Sequence, residues 1–153
     1  MNPDFAKCIE DLEPKFQELM RMTPVTMGKP LRKTPVGGVY LFSEGDRHLY
    51  AGRSKRQLSK RLRGHVNTAK DCPFAFRLAR EKTGKTKASY SGESTRKRLL
   101  QDIDFLKAYE VAKQRIRKMD IRWVAEPDPT RQALLEIYVS VVLKTPYNDF
   151  DTH

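Results

Sequence analysis

Cysteine is almost missing from this chain. Cys8 and Cys72 are the only two in 153 residues, and neither belongs to a CxxC pair. That argues against a zinc site or a disulfide framework. Long apolar runs are also missing, since none approaches the roughly 18 residues that span a bilayer. The opening stretch, MNPDFAKCIEDLEPKF, has no basic start followed by an apolar block, so it does not read as a secretion signal. Internal repeats and low-complexity tails are lacking too. These absences predict one domain over residues 1–153, reduced and cytoplasmic, with no membrane partner.

Acidic residues are scarce where basic ones are dense. The net charge is +11, and residues 53–118 carry 20 Lys/Arg against 6 Asp/Glu, a local balance of +14. The first 20 residues are acidic instead, with Asp4, Glu10, Asp11, Glu13 and Glu18. A one-sided excess of this size favours polyanions, because each neutralised phosphate releases counterions. The bland alternative is a set of solvated helix faces.

Periodicity supplies the elements. Phe5, Ile9, Leu12, Phe16 and Leu19 recur at helical spacing over 3–21, and a connector rich in Pro and Gly fills out residues 1–36. GVYLFS (38–43) and RHLYA (47–51) flank Glu44-Gly45-Asp46 and predict a hairpin. Ser54 reads as the N-cap of a helix over 54–66, with Leu58, Leu62 and Val66 inward. Helices are expected at 73–82 and 96–117, the latter turning Leu99, Ile103, Leu106 and Ile116 inward, with a polar loop at 83–95 between them. IRWVA (121–125) reads as a third strand. Asp128-Pro129 opens a last helix over 130–144, with Leu134, Ile137, Tyr138 and Val141 on its core face. The resulting expectation is an α/β (α+β) fold, a small three-stranded antiparallel sheet flanked by helices.

One residue stands out unaided. Glu136 sits among Leu134, Leu135, Ile137, Tyr138, Val139, Val141 and Val142. A carboxylate in so apolar a helix is costly to bury unless it is paired or binds a cation. Tyr40, Tyr50, Arg61 and His65 taken singly have ordinary explanations in packing and solvation.

As a group these residues resemble the GIY-YIG nucleases. Gly38-Val39-Tyr40 and Tyr50-Ala51-Gly52 are similar to the paired tripeptides that name the family, with Val39 and Ala51 in place of isoleucines. Arg53 falls where members carry a basic residue. Leu58-Ser59-Lys60-Arg61-Leu62-Arg63-Gly64-His65 resembles the family helix, in which an arginine is followed four residues later by His or Tyr. Glu136 and Asn148, twelve residues downstream, resemble the metal-binding glutamate and the family asparagine. The resemblance covers about 38–66 and 121–150, leaving 67–118 as an inserted basic helical region.

That resemblance implies a metal-dependent endonuclease acting on DNA, with RNA not excluded, using Mg²⁺ or Mn²⁺ on Glu136. Arg61 would clamp the phosphate oxygens. Tyr40 would activate or position water. A free tyrosine titrates near pH 10, so it needs a cationic neighbour, for which Arg53 or His65 is the candidate; His65 is alternatively the proton acceptor. Tyr50 would orient phosphate or water, and Asn148 would hold the site by hydrogen bonds. Within the insertion, Arg77, Arg80, Lys82, Lys85, Lys87, Arg96, Lys97 and Arg98 are the expected grip on the substrate. A restriction- or defence-type nuclease is the leading expectation. A structure-specific repair or recombination nuclease, or a non-catalytic binding module, is the alternative. The acidic N-terminal helix is expected to pack on its own domain or to make a homodimer contact.

Overall fold

The centre of the molecule is a strand buried on both sides. The computed structural model describes residues 1–67, 72–85 and 96–150. Strand β1 (Val36–Glu44) lies between β2 (Arg47–Gln57) and β3 (Asp120–Ala125), and both pairings are antiparallel. This is the expected three-stranded sheet, with the hairpin turning at Gly45.

Two glycines are fixed by close approach. A Cβ on Gly38 would lie 2.2 Å from the Val124 carbonyl oxygen, and one on Gly52 would lie 2.4 Å from the Tyr40 hydroxyl. Both tripeptides therefore carry glycine for a steric reason: one lets β3 pair tightly, the other lets the Tyr40 ring lie flat across β2.

Alternation along the strands separates two cores. Val39, Leu41, Ala51 and Val124 face α2 (Leu12–Arg21) and α7 (Pro129–Leu143), packing with Leu12, Phe16, Leu19, Leu135 and Val139. Tyr40, Phe42, Leu49 and Ile121 face the other way, toward α3 (Leu58–Gly64), α4 (Pro73–Thr83) and α6 (Ile103–Arg117). Two short helices complete the order, α1 (Pro3–Glu10) and α5 (Arg96–Leu99). Among the described residues no helix is long and apolar enough to cross a membrane.

Several boundaries and phases differ from expectation. The helix expected from 3–21 breaks at Asp11 into α1 and α2, and only α2 buries its stripe, while Phe5 stays exposed. Ser54 is not an N-cap: β2 runs on to Gln57, and Ser54 Oγ accepts from the Arg56 amide at 3.0 Å. Helix α3 starts at Leu58, whose amide bonds to the Pro35 carbonyl at 3.0 Å, while Thr34 Oγ1 accepts from the Ser59 amide at 3.2 Å. In α6 the inward residues are Phe105, Tyr109, Ala112 and Ile116, and Ile103 and Leu106 are exposed. In α7 the inward residues are Gln132, Leu135, Val139 and Ser140, with Ile137 and Val141 exposed. The expected start of α7 matches, since Asp128 accepts from the Arg131 amide at 2.9 Å ahead of Pro129.

Candidate active site

On the α3 side of the sheet, apolar packing gives way to a buried polar pair. Tyr40 projects from β1 and His65 from the end of α3, and both are fully buried. The Tyr40 hydroxyl and His65 Nε2 are 2.6 Å apart, a short hydrogen bond. Three rings cage the imidazole edge-on, with centroids 5.4 Å away for Tyr40, 5.2 Å for Phe42 and 5.5 Å for Tyr50. His65 Nδ1 is buried without a hydrogen-bond partner. Tyr50 is half-buried and stacks on Phe74 at 4.7 Å.

This setting decides the charge states. Burial pulls the His65 pKa down to about 3, and the nearby Arg61 charge pushes the same way. The imidazole is therefore neutral at pH 7 and cannot supply the positive charge expected for Tyr40. Burial also drives the Tyr40 hydroxyl far above its ordinary range, with Tyr50 adding to the effect. The cation that opposes this is Arg61, by its charge and by a hydrogen bond to Tyr40. The same arginine opposes the upward shift that burial imposes on Tyr50. The cationic neighbour of Tyr40 is thus Arg61 rather than Arg53 or His65, and Arg77 joins Arg61 in acting on Tyr50.

Arg53 points to the other side. It pairs with Val39 in the ladder and reaches α7, where its Nε lies 2.8 Å from Glu136 Oε2. Burial raises the Glu136 pKa, and neither the Arg53 bond nor the Arg61 charge fully offsets it. The burial of this carboxylate disfavours its charge more than its two cationic neighbours favour it. The charges of Glu136 and Arg61 both reach Tyr40 and Tyr50. Among the described residues no group of three His, Cys, Asp or Glu could hold a metal. The donor set therefore fits only an ion that keeps most of its water, as Mg²⁺ does when held by one carboxylate and substrate phosphate.

Asn148 serves the strand. Its Oδ1 accepts from the Ala51 amide at 2.8 Å and from Thr145 Oγ1 at 2.7 Å, and its Nδ2 donates to the Ala51 carbonyl at 2.7 Å. With the Tyr147 amide bonded to the Leu49 carbonyl at 3.2 Å, this segment covers the free edge of β2 and fixes Tyr50 and Gly52 on either side of Ala51.

Several cations of the inserted region have partners within the chain. Arg77 donates to the Tyr147 carbonyl and pairs with Asp149 at 3.2 Å. Arg80 and Arg96 sit over the Phe76 ring, at 4.9 and 4.0 Å from its centroid. Lys85 pairs with Asp102 at 3.0 Å. Arg96 joins α5 to α4, Lys85 joins the end of α4 to the start of α6, Arg77 joins α4 to the C-terminal segment and Arg80 stays with α4, while Lys82, Lys97 and Arg98 are exposed. Lys87, with most of the expected 83–95 loop, lies outside the described residues.

A feature that the sequence reading passed over lies beside Arg61. A cleft of about 690 Å³ is lined by Ser54, Arg56, Lys60, Arg61, Arg63, Gly64 and Asn67. Its signal was present in the sequence as six cations and no acid between Arg53 and Arg63. No family model, curated protein or solved structure matches this chain.

Proposed function

We propose that this protein is an endonuclease that hydrolyses phosphodiester bonds in DNA with a divalent cation, Mg²⁺ or Mn²⁺, on Glu136. The observation that carries the reading is the buried Tyr40–His65 pair, 2.6 Å across, in reach of the Arg61 and Glu136 charges. A core needs no such arrangement, because a fully buried tyrosine–histidine pair with an unpartnered ring nitrogen costs free energy that aliphatic packing would avoid. The sequence resemblance to the GIY-YIG nucleases supports the same assignment.

In this reading Arg61 binds the non-bridging oxygens of the scissile phosphate. A water beside Tyr40 gives a proton to the phenolic oxygen as Tyr40 passes its own to His65 Nε2. The hydroxide so formed attacks phosphorus, the bond to the leaving sugar oxygen breaks and that oxygen takes a proton from water, and buried His65 then returns its proton through the Tyr40 hydroxyl to the new phosphate end. Burial disfavours the imidazolium, and charge building on the phosphate offsets that cost. Tyr50 orients the incoming group against the stacked Phe74. Glu136 would hold the cation, which would supply Lewis acidity to the phosphate. Asn148 keeps β2 in register behind it.

One site cuts one strand, so duplex cleavage requires a homodimer or two visits. A cytoplasmic restriction- or defence-type role fits best, ahead of a structure-specific repair role. One observation favours a second reading, a non-catalytic DNA-binding module: Arg53 already occupies Glu136 Oε2 at 2.8 Å.

Nicking of supercoiled plasmid with and without Mg²⁺ separates the two. Glu136→Gln should lower the nicking rate at least a hundredfold, the scale of losing a principal electrostatic group, while DNA binding survives. Metal-independent nicking, or more than a few per cent of activity left in Glu136→Gln, refutes the assignment of Glu136.

A further inference from the structure

We infer that the cleft formed by the end of β2 and by α3 is the track for the nucleic-acid backbone, and that the substrate strand runs through it away from Arg61. This rests on the nuclease reading for its connection to the scissile phosphate, and on the cleft's own chemistry for its ligand class. The lining contains Arg56, Lys60, Arg61 and Arg63 and no carboxylate. Arg56, Lys60 and Arg63 are exposed, and no carboxylate among the described residues forms a salt bridge with any of them. Four cations lining one hollow of about 690 Å³ repel one another. Their charge is relieved by a polyanion, whose bound counterions are released in exchange.

The insertion offers a poorer surface. Arg77, Arg80, Lys85 and Arg96 are committed to Asp149, Phe76 and Asp102. Moving them onto phosphate would break the Lys85 tie to α6, the Arg96 tie of α5 to α4 and the Arg77 tie of α4 to the C-terminal segment. Arg56, Lys60 and Arg63 pay no such cost. Lys60 and Arg63 stand one turn apart on α3, so their side chains start roughly 5–6 Å from each other on one helix face. Arg61 belongs to both places, since it lines the cleft and hydrogen-bonds Tyr40. A strand gripped there delivers a phosphate to Arg61 in a fixed register. Asn67 adds an uncharged amide to the lining. Gly64 lies in the wall with open space where a side chain would project.

Binding is measured without cleavage, by fluorescence anisotropy of a labelled DNA duplex in EDTA at a series of salt concentrations. Three variants are compared with the native chain. Lys60→Ala/Arg63→Ala removes two cleft charges. Gly64→Glu puts a carboxylate into the cleft and meets no atom within 4 Å of its Cβ, so folding is spared. Lys82→Ala/Lys97→Ala removes two charges from the rival surface. The cleft double variant should bind at least tenfold more weakly at moderate salt. Its plot of log affinity against log salt should be shallower by about 2, the slope carried by two phosphate contacts. Gly64→Glu should weaken binding as much or more, and the rival variant should lose less.

Affinity within twofold of native for both cleft variants overturns the inference, as does a loss confined to Lys82→Ala/Lys97→Ala. The outcomes for this inference and for the nuclease reading separate cleanly. Binding through the cleft without Mg²⁺-dependent nicking keeps the track and rejects the nuclease. Nicking with cleft variants that bind normally does the reverse. A native chain that binds no duplex rejects both.

Discussion

The two faces of the sheet are built from the same three strands but on different terms. The face toward α2 and α7 is aliphatic: Val39, Leu41, Ala51 and Val124 meet Leu12, Leu19, Leu135 and Val139, with the Phe16–Tyr138 ring pair at the rim. The face toward α3, α4 and α6 is aromatic and polar, and within it Tyr40 and His65 bond to each other under three rings. Neighbours in sequence therefore have opposite duties. Val39 and Leu41 hold the sheet to its helices, and Tyr40, between them, holds a proton. A strand of this kind lets chemistry be buried without becoming the sole source of stability, because the opposite face supplies the dry packing.

Exchanging the loss tests that contrast most strongly. Tyr40→Phe should lower nicking at least a hundredfold, while its stability cost stays near the 1–3 kcal/mol of a buried partner left unsatisfied at His65 Nε2. Leu41→Ala should do the opposite: about 2–5 kcal/mol of stability lost in denaturant melts from the cavity, with near-native activity per folded molecule. If both variants lose activity and stability together, the two faces are not separable.

The pH dependence of stability sharpens the same point. The folded His65 ring stays neutral down to about 3, whereas in the unfolded chain it titrates near the ordinary 6.5. Between those values the unfolded chain binds the extra proton. The contribution is intact above about pH 6.5 and is lost as pH falls toward 3, with a slope of about 1.4 kcal/mol per pH unit. His48 is shifted in the same direction by burial and by Arg122. His65→Gln should therefore remove most of the slope between pH 6 and 4, and His48→Gln a smaller part. Equal slopes in native and His65→Gln proteins would show that the imidazole is charged or exposed in solution.

The legibility of the sequence divides along the same faces. GVYLFS gave a two-sided apolar strand, and the structure buries it on both sides. Helix phases were harder to read where apolar residues surround the helix. In α7 apolar side chains lie all round, and what fixes its orientation is polar: Gln132, inward-facing, donates to the Glu126 carbonyl at 2.6 Å. In α6 the inward row passes through Tyr109, whose hydroxyl accepts from the Cys72 amide at 3.2 Å, a partner no periodicity reveals. For the candidate site, the sequence supplied the residues but not their charges. Whether His65 is a cation or a neutral ring depends on burial, and whether Arg77 faces DNA or Asp149 depends on a fold not yet formed. The six cations from Arg53 to Arg63 were visible in the sequence, but the hollow that gathers four of them was not.

Asn148 links the faces from the edge and sets a smaller prediction. Asn148→Ala removes two backbone bonds to Ala51. It should cost about 1–3 kcal/mol, since the Ala51 amide and carbonyl are left half-paired at the edge of β2. Amide exchange at Ala51 should accelerate more than at Val39 in the central strand. Uniform acceleration across the sheet would mean that Asn148 acts on global stability alone.

The smallest effect is expected at the N-terminus, where α1 and α2 repeat the contrast in miniature. Both are amphipathic, yet α2 places Leu12, Phe16 and Leu19 in the aliphatic core while α1 buries no residue. Their separation at Asp11 turns the α1 stripe away, leaving Phe5 about half exposed. Tyr138 ties α2 to α7 through Glu13, and the pair from Arg131 to Asp11, at 3.3 Å, lies at the junction. Exposed pairs of this kind contribute about 1 kcal/mol at most. A chain starting at Asp11 should therefore melt within about 1 kcal/mol of the full-length protein and keep its nicking rate. A chain starting at Met22 loses three core side chains and should unfold or aggregate. If removing α1 costs several kcal/mol, more than the partial packing of Ile9 on the aliphatic core supplies, Phe5 is covered in solution by something other than this chain. A shift from dimer to monomer by light scattering in the same truncation would identify the cover as a second copy.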